Sequence, residues 1–132
     1  MNASNIILTR IDNRLVHGQV GITWGHVLNI NSLVVVDDTT AKSPFSQKLM
    51  QCVATAANLN IIFYTVDKFI DSYDELAKYK KIFLIIPSFQ IARKILEGGI
   101  ELSRINVGNI HYERERVAFN HKVYYLKKIL MI

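Results

Sequence analysis

A chain of 132 residues, half of them hydrophobic and a fifth charged, has the length and composition of one globular domain with its own core, not of a disordered segment. A single cysteine excludes an internal disulfide, and no apolar run approaches the roughly 18 residues of a membrane-spanning helix. The formal net charge of +5 favours an acidic or phosphorylated partner.

The N-terminus, MNASNIILTR, lacks the basic start and long apolar stretch of a signal peptide, so a cytoplasmic location is expected. Asn5 to Ile11 reads as a first strand. Gln19 to Leu28 reads as a helix, with Val20, Trp24, Val27 and Leu28 on one face. Ser32 to Asp37 is a continuous apolar run of the kind buried on both faces of a parallel sheet. The loop DDTTAKSP leads into a helix with Pro44 in its first turn and a buried stripe of Phe45, Leu49, Cys52, Val53 and Ala56. There follow a strand at Asn60 to Val66, a helix near Asp67 to Tyr79 and a buried strand, KIFLII. Pro87 ends that strand, Ser88 caps a helix carrying Ile91, Ala92, Ile95 and Leu96, and Gly98-Gly99 stops it. Arg104 to Val107 is a fifth strand, and YERERVAFNHKVYYL reads as two short strands about a turn. The basic residues near the end, Arg114, Arg116, Lys122, Lys127 and Lys128, read as a solvated face. No helix-turn-helix, zinc-finger or RNP-like pattern accompanies them, so nucleic acid is not an expected partner.

This alternation predicts an α/β fold: a mostly parallel doubly wound sheet with helices on both faces and a short antiparallel edge near the C-terminus. Ligands of such sheets bind beyond the carboxyl ends of the strands. The loop following the first strand holds the densest chemistry, RIDNRLVHGQV from Arg10 to Val20. His17 immediately precedes a predicted helix start, whose free N–H groups suit phosphate, and Gly18 allows close backbone approach. Arg14 offers a planar fork to phosphate oxygens, and Arg10 either does likewise or pairs with Asp12. Asp12 suits one imidazole nitrogen, leaving the other as nucleophile. Taken singly, a loop histidine is an ordinary polar residue and arginines beside acids are surface ion pairs. Their joint placement at a strand end points to an anion site.

IDNRLVHGQV resembles the active-site loop of the IIB components of bacterial sugar phosphotransferase systems, mannose/fructose/sorbose class. The similarity continues through VVVDD, the Pro44-initiated helix, LEGGI (Leu96 to Ile100) and INVGNIHY (Ile105 to Tyr112), covering nearly the whole chain in order. The resemblance implies a phosphohistidine carrier. It would accept a phosphoryl group from a IIA phosphohistidine and pass it to a sugar entering through the membrane components IIC and IID. That makes it a protein-N(π)-phosphohistidine–sugar phosphotransferase, cytoplasmic and held at the membrane by those partners. Carried over, His17 bears the phosphoryl group with Arg14 and Asp12 in support. Arg10, Asn13, Gly18 and Gln19 are expected to bind phosphate. From its position at a neighbouring strand end, Asp38, or Asp37, is expected to border the site. No metal or other cofactor is expected, because arginine and helix N–H groups can supply the positive field. The alternative is a non-catalytic anion-binding or regulatory module with the same fold.

LVVVDD also looks like the acidic pair of a receiver domain, but it follows the second strand where a receiver needs it after the first. Cys52 falls on an apolar helical stripe and is expected in the core. His26, His111 and His121 show no zinc-ligand spacing. Residues 1–132 read as a single domain that ends, in KKILMI, before the further helix and strand of the family pattern. An uncovered sheet edge of that kind predicts lower stability or a homo-oligomer that covers it.

Overall fold

The computed structural model of the chain describes residues 5–17, 32–78, 81–102 and 104–108. The helix expected over Gln19 to Leu28, with Trp24 and His26, and the two strands expected beyond Gly108, with His111 and His121, lie outside these residues.

Among the described residues five strands form one sheet: β1 (Ile6–Ile11), β2 (Ser32–Val36), β3 (Asn60–Tyr64), β4 (Ile82–Ile86) and β5 (Ile105–Val107). Their order is β3-β2-β4-β1-β5, and every pairing is parallel. Four helices belong to the described chain: α1 (Asp38–Ala41), α2 (Pro44–Ala56), α3 (Val66–Ala77) and α4 (Phe89–Glu97).

SLVVV and IFLII are buried at every position because both faces of the sheet are covered. Strand alternation sends Val34, Val36, Ile82, Leu84 and Ile86 to one face, where Phe69 of α3 and Phe89, Ala92 and Ile95 of α4 close the core. Leu33, Val35, Phe83 and Ile85 face the other way, onto Ala54 of α2 and the half-buried Met50. Each of the longer helices opens on a hydroxyl cap. Ser43 accepts from Ser46 N–H, Thr65 from Lys68 N–H and Ser88 from Ile91 N–H, each worth about 1 kcal/mol. Gly98 follows the last turn of α4, and Gly99 then takes a positive φ of 91°.

Three expectations need correction. The strand expected over Asn60 to Val66 ends at Tyr64, because the Thr65 hydroxyl caps α3 and Val66 opens that helix. DDTTAKSP is not all loop: the Asp37 carboxylate accepts from Thr40 N–H and nucleates the single turn of α1. Of the stripe Phe45, Leu49, Cys52, Val53 and Ala56, Val53 is half-buried and the other four are exposed. Phe45 is 74% exposed and Leu49 55%, and Cys52 is exposed as well. At about 100° per residue, Ala54 lies half a turn away from Phe45. The small Ala54 lets the helix lie close on the sheet, and Gln47, near the same face, bonds through Nε2 to the carbonyls of Thr40 and Ala41. A hydrogen-bonding glutamine and an alanine thus orient α2, against its strongest apolar stripe.

Candidate functional site

The topology singles out one end of the sheet. From β1 the chain crosses toward β2 on one side, and from β4 it crosses toward β5 on the other. The carboxyl ends of β1 and β4 therefore flank a switch point, where α/β sheets open a crevice. Asp12 stands there, its N–H donating to the Ile86 carbonyl at 2.9 Å, so the β1–β4 ladder runs up to the residue that begins the loop.

Asp12 is wholly buried, and its carboxylate organises the loop. Oδ1 accepts from Arg14 N–H at 2.9 Å and from Arg14 Nε at 3.2 Å. Oδ2 accepts from Arg10 Nη2 at 3.2 Å and Arg14 Nη2 at 3.3 Å. His17 Nε2 lies 3.9 Å from the same Oδ2. One carboxylate thus faces two guanidiniums, a balance that leaves positive charge for an anion. Exposure grades outward: the side chain of Arg10 is 13% exposed, His17 30% and Arg14 54%.

Leu15 was not singled out by sequence, and it shapes the turn. Its N–H donates to the Asp12 carbonyl at 2.9 Å, its φ is 57°, and its side chain is buried against the α2 side of the core. That conformation sets its carbonyl 2.9 Å from His17 Nδ1. A carbonyl only accepts, so in this arrangement Nδ1 carries the ring proton and donates. Asp12 is therefore opposite Nε2, and the main chain of Leu15 holds the other nitrogen.

The remaining residues of the expected site are placed as follows. Asn13 is half-buried in the same turn. Gly18 and Gln19 lie outside the described residues. Asp37 caps α1, also accepting from Thr40 Oγ1 at 2.7 Å, and Asp38 Oδ1 accepts from Val66 N–H at 2.9 Å at the start of α3. Both carboxylates thus serve helix starts beyond β2 and β3. Asn106 and Gly108, also unforeseen, reach the site from β5. Asn106 Oδ1 accepts from Arg10 Nη1, and Gly108 N–H donates to the Ile11 carbonyl at 2.7 Å. Among the described residues no group of three or more His, Cys, Asp or Glu side chains could hold a metal. No described helix is long and apolar enough to cross a membrane.

Comparison with known proteins identifies the family. The family described as the PTS system sorbose subfamily IIB component matches residues 6–128. An N-acetylgalactosamine-specific phosphotransferase enzyme IIB component 1 from Escherichia coli K12 is 48% identical over 124 residues, 94% of this chain and 78% of that protein. A IIB component 2 from the same organism is 40% identical over 108 residues, 82% of this chain and 68% of the relative. The crystal structure of the E. coli N-acetylgalactosamine-specific IIB component 1 superposes with a TM-score of 0.77 at 50% identity, covering 83% of this chain and 71% of that one.

Proposed function

This chain belongs to the sorbose subfamily of phosphotransferase-system IIB components, and from that premise we propose that His17 is the residue that carries the phosphoryl group. As a IIB component the protein passes a phosphoryl group from a IIA protein to a sugar during uptake. The observation that carries the assignment to His17 is the buried Asp12 carboxylate, which gathers Arg10, Arg14 and His17 at one strand end.

In the first step a ring nitrogen of His17 attacks the phosphorus of the IIA phosphohistidine. The donor N–P bond breaks as the new one forms, and the IIA imidazole leaves with its electron pair. In the second step a sugar hydroxyl attacks, the His17 N–P bond breaks, and the hydroxyl proton leaves to solvent. Such transfer asks mainly for positioning and charge neutralisation. Arg14, the most exposed of the cluster, supplies its guanidinium to the phosphoryl oxygens, with Arg10 behind it. Asn13, half-buried in the same turn, is a further phosphate ligand.

The finer reaction class is an N(π)-phosphohistidine–sugar phosphotransferase. Attack through Nδ1 requires the proton to move to Nε2, where the Asp12 carboxylate receives it, and the ring to turn from the Leu15 carbonyl. Catalytic contacts commonly tighten in this way only in the reacting complex. The similarity to two N-acetylgalactosamine-specific relatives supports that sugar as the substrate. Docking to IIC and IID brings the protein to the cytoplasmic face of the membrane.

The test combines the purified chain with a cognate IIA, the general phosphotransferase proteins and phosphoenolpyruvate, followed by intact-mass spectrometry. One acid-labile phosphoryl adduct is expected, absent in His17→Ala and formed slowly in Arg14→Lys, whose ammonium cannot fork to two oxygens. No adduct on the folded chain, with IIA demonstrably phosphorylated, would establish a binding module instead.

A further inference from the structure

Arg10 is the least exposed cation of the site, and its pose is set by an element remote in sequence. β5 pairs with β1 in a register that sets Arg10 opposite Asn106. The guanidinium is enclosed on three sides. Asn106 Oδ1 accepts from Nη1, and Asp12 Oδ2 accepts from Nη2 at 3.2 Å. The third side is the main chain of Gly108, where a Cβ would lie 2.6 Å from Nη2 and would overlap the Asp12 carboxylate. Gly108 is therefore required by space, because backbone lies directly against an ion pair. The oxygen that Arg10 holds, Asp12 Oδ2, is the one that also receives Arg14 Nη2 and faces His17 Nε2. Any displacement of Arg10 is passed to that oxygen.

We infer that Asn106 is a positioning residue for phosphoryl transfer: with Gly108 it clamps Arg10 across Asp12, and so sets the carboxylate against Arg14 and His17. This rests on His17 being the phosphocarrier. Asn106 touches neither the phosphoryl group nor the imidazole; it acts through Arg10. The side-chain oxygen of Asn106 is the acceptor that anchors this nitrogen of Arg10.

The experiment uses the full chain with phosphorylated IIA and compares Asn106→Ala, Asn106→Asp and Gly108→Ala. Three quantities are read: the rate of phosphoryl uptake at His17, the thermal midpoint, and the ¹⁵N shifts of the His17 ring. Asn106→Ala and Gly108→Ala are expected to slow uptake about tenfold, as loss of an orienting contact commonly does, and to move the ring shifts. Asn106→Asp, which keeps an acceptor for Arg10, is expected to restore most of the rate. Uptake at the wild-type rate in Asn106→Ala overturns the inference. So does a loss of rate that follows the thermal midpoint in all three variants with unmoved ring shifts, since that is the behaviour of a residue that merely pins β5. Failure of the wild-type chain itself to take up the group would overturn the phosphocarrier reading, and is seen separately from any difference among the variants.

Discussion

Asp12 and Leu15 show how single residues of the loop resolve opposing energies. Burying a carboxylate is costly unless it is paired and hydrogen-bonded, and Asp12 is both, through two arginines and a main-chain N–H. Asp12→Ala would leave the nearly buried Arg10 without its counter-charge. A loss of about 3 kcal/mol in urea unfolding is expected, as for other broken buried pairs; a loss well below 1 kcal/mol would contradict it. Leu15 holds a left-handed conformation that costs a bulky L-residue about 1–2 kcal/mol. Burying its side chain contributes about 1.5–3 kcal/mol, so packing wins and the carbonyl is held against His17. A loop histidine with two nearby arginines was legible in the sequence. The positive φ that orients it was not, because leucine carries no local signal for that conformation.

Element by element, the Ser88 cap of α4, the Pro44 start of α2 and the uninterrupted apolar strands were readable from residue type, since caps and strand burial are local or nearly so. The Thr65 cap of α3 was not, because Thr65 and Val66 continue the β-branched pattern of the strand before them. The face of α2 was not. Amphipathic periodicity marked Phe45 and Leu49, while the sheet takes Ala54 and Met50. Phe45→Ser and Leu49→Gln should each change stability by no more than about 0.5 kcal/mol, as exposed substitutions do. Ala54→Leu should destabilise by about 1–3 kcal/mol through overpacking against β2 and β3. Equilibrium unfolding of the three variants decides between the two faces. β5 carries only three residues, yet its pairing with β1 delivers Asn106 to Arg10. No spacing rule in a sequence relates positions 10 and 106.

Across the whole molecule, the excess of positive charge bears on encounter more than on fold. A chain of net charge +5 should meet a phosphorylated IIA partner with electrostatic steering. Raising ionic strength from about 0.1 M to about 1 M shortens the screening length from about 10 Å to about 3 Å. The second-order rate of phosphoryl uptake by this chain should fall over that range, measured by rapid quench. A rate indifferent to salt would remove steering from the account and leave the site chemistry untouched.

The amino-acid sequence alone determined the α/β class, the parallel sheet, the loop that bears His17 and the family to which that loop belongs. These rest on composition, periodicity and a contiguous motif, all of which are local properties of a chain. Tertiary structure alone decided the strand order, the face on which α2 packs, the helix-capping work of Asp37 and Asp38, and the reach of Asn106 and Gly108 into the site. Each depends on which distant segments come into contact, and contact between distant segments is settled by packing and hydrogen-bond satisfaction, not by the identity of neighbours along the chain.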